Sequence, residues 1–492
     1  MHELITNPLW RAEDLGKPIP DSPHAASACL PMWADNIGYE EQDSRVHEKL
    51  TTGYPRFVYN RFCQKLFAVC EQHFAEAAEA CLAFPSEPAA QRFAAYMQDQ
   101  AAASTRIHSF GLHNVHAACF DKQHAEVAKS YWQHCGEGIS SRLAEACLNN
   151  RPAVESSQVK QNLRERVAQF SGAGVEDVFL YPNGMNAIFT LHRVLLSLFP
   201  DRKSVQFGFP YVDSLKIQQK FGPGVNFYPK GNSEELKELE TLLTQEAIGG
   251  LFTEFPSNPL LLSPDLNRLA DSAREHGFPV IVDETLATWL NAELLSVADA
   301  LTTSLTKFFS GIGDVTAGSV ILNKNSPFFS QLSSALKEQH EDLLWGTDAV
   351  VLEQNSRDFA ERMPAINRNA EALADFLKTH PQVAEVYYPK YQTPTEYNAF
   401  RKLNGGYGGL LSIVLKEASE NAPKFYDALR VSKGPNLGTN YSLVCPFTIL
   451  AHYNELEFAE SCGVSRYLIR ISVGLEEPDD LIQRFHDTLA IL

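Results

Sequence analysis

The apolar positions of this chain change rhythm near residue 155. Beyond that point short apolar runs alternate with amphipathic stretches, a texture that predicts a mainly parallel sheet covered by helices on both faces. The runs Val178–Tyr181, Ser204–Phe207, Gly250–Phe255, Val280–Val282, Ala300–Thr303 and Ser319–Leu322 read as strands. Met185–Leu198, Tyr211–Phe221, Ser233–Gln245 and Asp265–His276 carry helical spacing between them. Ser233 with Glu235, and Ser263-Pro264-Asp265, supply helix starts. After about residue 325 helical spacing runs through Lys378. Strands at Val383–Tyr388, Gly409–Val414 and Leu468–Val473 and a closing helix at Asp479–Leu492 then predict a smaller α+β domain. Residues 1–154 read as irregular, with prolines at 18, 20 and 23 and helical spacing from Arg61 to Ala83. The expected organisation is an N-terminal extension over 1–154, an α/β domain over 155–325 and an α+β domain over 326–492.

Composition narrows the class without naming it. The 492 residues are 44% hydrophobic and 21% charged, ordinary for a soluble globular protein with a large core. A net charge of −18 argues against nucleic acid or an anionic membrane as partner, so any anion site must be built locally. The opening Met1–Thr6 lacks the blocks of a signal peptide and no apolar run is long enough to cross a bilayer, so the expectation is a cytoplasmic protein. Nine cysteines scattered from Cys29 to Cys462 without a CxxC pair suggest reduced, buried thiols rather than a disulfide framework. His108, His113, His116, Cys119 and His124 are the densest run of metal-ligand types, but their spacing follows no ligand grammar. No metal is expected there; the histidines read as facing solvent or an interface.

The chemistry concentrates around Lys307. It follows a short apolar run in Thr302-Thr303-Ser304-Leu305-Thr306-Lys307 and precedes Phe308-Phe309-Ser310-Gly311. An ammonium among apolar neighbours is costly, and a desolvated lysine loses its proton and becomes a nucleophile toward a carbonyl. Upstream, Asp283 ends the strand Val280-Ile281-Val282. A lysine for Schiff-base chemistry and an aspartate for a pyridinium nitrogen are the minimal equipment of a pyridoxal phosphate (PLP) enzyme. Asn183-Gly184-Met185 lies where a strand turns into a helix, whose free amides suit a phosphate. Tyr211 stands past the carboxyl end of the next strand, where open α/β sheets bind ligands and a ring can stack. Asn258, in Pro256-Ser257-Asn258-Pro259, offers an amide at another strand end. Arg470, within Leu468-Ile469-Arg470-Ile471, is a cation in an apolar strand, and its planar fork suits a carboxylate.

Together these motifs resemble the cystathionine γ-synthase group of the PLP-dependent Cys/Met metabolism (trans-sulfuration) family, of fold-type I. The likeness runs from about residue 17 to the C-terminus and is sharpest at Ser304–Lys307, Asp283, Ser257-Asn258-Pro259 and Arg470–Glu476. Gly53-Tyr54-Pro55-Arg56-Phe57, Trp33, Gly38–Glu41 and Trp132–Ser141 resemble the fungal branch. The resemblance implies that Lys307 holds PLP and later moves protons, that Asp283 keeps the ring nitrogen protonated, that Tyr211 stacks and that Asn258 meets the phenolic oxygen. It implies Gly184, Met185, Ser304 and Thr306 for the phosphate, with Tyr54 and Arg56 arriving on an arm from a partner subunit, and Arg470, Asn436 and Tyr54 for the substrate. Residues 1–154 then become the extension bearing that inter-subunit arm. The implied assembly is at least a homodimer, extended to a homotetramer. The implied reaction is γ-substitution on O-acetyl-L-homoserine by a nucleophilic co-substrate, cysteine or a carbon nucleophile such as a β-keto acid. A β- or γ-elimination lyase and a non-catalytic partner subunit are the alternatives. In Pro435-Asn436-Leu437-Gly438 the family usually has serine where this chain has Asn436, beside the lysine and the substrate carboxylate. That departure puts the ordinary substrate pair in question.

Overall fold

The structure, a computed structural model, describes residues 2–55 and 57–492, the side chain of His2 excepted. Its centre is the expected sheet. Strands β4 (Val178–Tyr181), β5 (Ser204–Phe207), β6 (Val225–Tyr228), β7 (Gly250–Glu254), β8 (Val280–Asp283), β9 (Ala300–Thr303) and β10 (Gly318–Leu322) lie in the order β4-β10-β9-β8-β7-β5-β6. Here β1 (Glu79–Phe84), β2 (Arg106–Phe110) and β3 (Val115–Asp121) precede them in the chain. All pairings of the central sheet are parallel except those of β10, which runs antiparallel to both its neighbours. Most of its strands are buried along their whole length, which is why they read as unbroken apolar runs rather than alternating ones. One face packs the helix Gly184–Leu198 through Ile188, Leu191 and Leu195. The other packs Leu236, Leu239, Leu266 and Leu269 from the helices Ser233–Leu243 and Leu266–His276.

The C-terminal sheet is β11 (Val383–Tyr387), β12 (Leu410–Leu415), β13 (Ser432–Lys433), β14 (Leu443–Pro446) and β15 (Ile469–Ser472), in the order β11-β12-β15-β14-β13. The helices Phe359–Thr379, Ala418–Ala428 and Pro478–Leu489 pack on it. The helical stretch expected from 325 to Lys378 is three helices, Phe329–Gln339, Gly346–Asn355 and Phe359–Thr379.

The N-terminal part is more ordered than its sequence suggests. Helical spacing over Arg61–Ala83 gives a helix only to Phe74; the rest enters β1 of an antiparallel sheet, β1-β3-β2. The expectation of reduced thiols fails at one pair. Cys81 and Cys119 are direct cross-strand partners of β1 and β3, with Cα atoms 4.3 Å apart, and form a disulfide. Strand register created that pair, and register is invisible in cysteine spacing. Among the described residues no three His, Cys, Asp or Glu side chains gather as a metal site, and no helix is long and apolar enough to cross a membrane.

Candidate active site

The carboxyl ends of the parallel strands open onto one cavity of about 200 Å³, lined by Tyr54, Gly184, Met185, Tyr211, Glu254, Asn258, Asp283, Ser304, Thr306, Lys307 and Arg470 among others. Lys307 stands in the turn that follows β9. Leu305, Phe308 and Phe309 around it are buried in the core beneath the sheet, which leaves the lysine side chain on the cavity side. Gly438 backs the turn with φ +73°, and a β-carbon there would come within 2.6 Å of Phe308 N and 2.9 Å of Lys307 Cβ. Arg362 closes the turn from below, donating to the carbonyls of Phe308 and Phe309 at 3.0 Å each.

Lys307 is 7% exposed. Its Nζ donates to Asn436 Oδ1 at 2.5 Å and to Tyr54 Oη at 2.9 Å. The structure therefore brings Asn436 directly onto the reactive amine. Tyr54, expected on an arm from a partner subunit, here meets Lys307 within one chain. The segment before it is tied to the body it belongs to, with Ala26 N donating to Gly313 O at 2.7 Å, Leu30 N to Lys433 O, and Thr52 Oγ1 to Ser27 O. Arg56 lies outside the described residues.

Asp283 ends β8 and accepts from Thr285 N at 2.9 Å. Burial raises its carboxyl above the usual carboxylate range, against hydrogen bonds from Thr285 and Thr302. Among the described residues no cation pairs with it. Arg470, on β15 and 4% exposed, donates to Asn258 Oδ1 at 3.3 Å and to the carbonyls of Pro435 at 2.6 Å and Asn436 at 3.4 Å. Its acceptors are neutral, and among the described residues no carboxylate pairs with it. A buried charge without a counter-charge is costly. The cavity thus holds an acid in want of a cation and a guanidinium in want of an anion, with a lysine amine alongside.

The residues expected to hold a phosphate lie together at one helix N-terminus and the β9 turn. Gly184 and Met185 open a 15-residue helix that Asn183 caps through Asn186 N. A β-carbon on Gly184 would lie 2.9 Å from Ser304 Cβ, so glycine lets the helix N-terminus close on the β9 turn. Thr306, by contrast, exchanges hydrogen bonds with the main chain of Ala317, which ties its hydroxyl to the fold.

Glu254 was not singled out in the sequence, although Glu254-Phe255-Pro256 ends an apolar strand much as Asp283 ends the next. It stands beside Asp283 in the β7–β8 register. Burial, and then the charge of Asp283, push its carboxyl well above the usual range. Its two oxygens accept from Tyr211 N at 2.6 Å and Asn258 N at 2.9 Å. Thr285 is a second omission: its hydroxyl accepts from Ser304 N at 2.8 Å.

Residues 155–490 match the family model of the Cys/Met metabolism PLP-dependent enzymes, and residues 62–140 match that of the fungal trans-sulfuration enzyme N-terminal domain. Cystathionine gamma-synthase of Neurospora crassa is 35% identical over 97% of this chain and 98% of its own. The cystathionine gamma-synthase-like enzyme iboG2 of Amanita muscaria is 34% identical over 96% of each. In fold, the chain is similar to cystathionine gamma synthase of Xanthomonas oryzae pv. oryzae in complex with aminoacrylate and cysteine. The TM-score is 0.58 at 24% identity, over 67% of this chain and 85% of that one. The residues present fit PLP: Asp283 could pair with its ring nitrogen, and Arg470 with the carboxylate of an amino-acid substrate. The chain belongs to the Cys/Met metabolism family of PLP-dependent enzymes, of fold-type I, and carries the N-terminal domain of the fungal trans-sulfuration branch.

Proposed function

We propose that this PLP-dependent transferase performs γ-substitution on O-acetyl-L-homoserine, joining its four-carbon amino-acid unit to a nucleophile. The observation that carries the reading is the placement of Asp283, Lys307 and Arg470 around one cavity, where among the described residues neither half-buried Asp283 nor buried Arg470 has a counter-charge. When bound, PLP supplies the electron sink that lets a proton leave the substrate Cα. Arg470 holds the α-carboxylate and so fixes which Cα bond stands beside Lys307. Lys307 Nζ would take the Cα proton and relay protons between Cα and Cβ of the substrate as acetate leaves Cγ, and it would return a proton to Cα once the nucleophile has bonded to Cγ. Tyr54 Oη and Asn436 Oδ1 orient that amine. Asp283 would hold a proton on the ring nitrogen, and Tyr211 and Asn258 would hold the ring's face and oxygen.

Two nucleophiles fit this scheme. Cysteine follows from the names borne by the relatives. A carbon nucleophile such as a β-keto acid is favoured by Asn436, where the family usually has serine, and by the apolar rim of Phe57, Trp132, Ile139, Phe447 and Leu450. A panel of thiols, amines and β-keto acids supplied with O-acetyl-L-homoserine, read by product mass, separates them; the absence of any adduct across the panel would remove the γ-substitution reading. The assembly we propose is at least a homodimer. Two chains that exchange the Tyr54 arm would make the contacts seen here reciprocally, and light scattering that finds an active monomer would rule the exchange out.

A further inference from the structure

We propose that Glu254 is a positioning residue of this site: one carboxyl, bridging two main-chain amides, sets the ring of Tyr211 and the carboxamide of Asn258 against the bound cofactor. The inference rests on the proposed function and concerns a residue to which that reading gives no part. Strands β5 and β7 stay in register through Phe207 and Thr253, and Thr253 Oγ1 adds a hydrogen bond to Phe207 O at 2.7 Å. Past that pair the chains diverge, one toward Tyr211 and the other toward Asn258. The Glu254 side chain spans the gap. Oε1 takes Tyr211 N at 2.6 Å and Oε2 takes Asn258 N at 2.9 Å.

The link continues outward. Asn258 Oδ1 accepts from Arg470, and Arg470 reaches the carbonyls of Pro435 and Asn436. Asn436 in turn holds Lys307 Nζ. Glu254 thus stands where the residues that would hold the ring join those that would hold the substrate carboxylate and the lysine. A buried acid between two amide donors is satisfied only while both oxygens accept. Glutamine keeps the shape but turns one acceptor into a donor facing an N–H, and so breaks one arm of the bridge. Aspartate keeps both acceptors but is one methylene shorter, too short to span both amides.

The test is the Glu254→Gln holoenzyme, followed by the pH midpoint of the visible band of the bound cofactor, by PLP affinity after resolution to apoprotein, and by steady-state kinetics. The expected result is a folded protein with a displaced pH midpoint and weaker PLP binding. Its kcat is lowered by about tenfold to a hundredfold, with less change in KM for the amino-acid donor. Because the effect runs partly through Asn258, the displacement is expected to shrink in an Asn258→Ala background. A midpoint and kcat equal to wild type, or a displacement of the same size in both backgrounds, overturns the proposal. If Glu254→Gln does not fold, Glu254→Asp decides by the same readouts; if neither folds, Glu254 is a folding element and the proposal falls. Wild-type protein without a PLP band, or a Lys307→Ala variant that keeps the wild-type band, would instead count against the proposed function.

Discussion

A half-buried acid, a buried guanidinium and one amine decide what the cavity can bind. Among the described residues Arg470 donates to neutral oxygens, so a carboxylate arriving there gains charge-assisted bonds that none of these acceptors supplies. Arg470→Lys keeps the charge and loses the planar fork. It is expected to raise KM for the amino-acid donor by roughly tenfold or more, with PLP still bound; a KM equal to wild type in steady-state assays would count against Arg470 as the carboxylate site. Asn436 can be examined as directly. Its Oδ1 accepts from Lys307 Nζ, while among the described residues its buried Nδ2 has no hydrogen-bond partner. Asn436→Ser cannot keep the same reach, and a lower kcat with an unchanged PLP band is the expected outcome. Lys307, Asp283 and Arg470 were legible in the sequence because a charge inside an apolar run is conspicuous. Glu254 was not, because its role depends on a gap between β5 and β7 that only the folded sheet creates. The contact of Tyr54 with Lys307 within one chain was not legible either, since docking of residues 16–30 on the body leaves no periodic signal.

At the scale of the element, the turn after β9 is held from two sides. Gly438 presses on it with a positive φ, and Arg362 satisfies its carbonyls from the helix Phe359–Thr379 while pairing with Asp358 at 2.6 Å. Arg362→Met would leave buried carbonyls unsatisfied at about 1–3 kcal/mol each. A lower melting temperature together with faster loss of PLP on dialysis is expected; unchanged PLP retention would show that the turn holds Lys307 without this support. The strands of the central sheet were legible because burial on both faces leaves continuous apolar runs. β6, with the sequence Val225-Asn226-Phe227-Tyr228 and partly buried throughout, offered no such run. The N-terminal sheet escaped for a related reason: β3 is buried almost to its end, yet it is built largely of Ala, Cys and His, residues that do not announce a strand.

For the molecule as a whole, buried titratable groups set the response to acid. His192 is fully enclosed, and burial lowers its pKa from 6.5 to about 4. The unfolded chain takes up that proton first, so this contribution is complete above about pH 6.5 and is lost as pH falls toward 4. The loss approaches on the order of 3 kcal/mol. Denaturant melts across that window should therefore show wild type losing stability that His192→Leu keeps, so that the difference between them changes as pH falls; parallel curves would show that His192 is not the group responsible. The central claim concerns catalysis, and it is met most directly by following O-acetyl-L-homoserine with and without an added nucleophile, by mass. The account predicts little turnover of the donor alone, an adduct of the four-carbon unit once the nucleophile is present, and neither in Lys307→Ala. Rapid release of 2-oxobutanoate from the donor alone would make the protein a lyase, and an adduct formed equally well by Lys307→Ala would contradict the account outright.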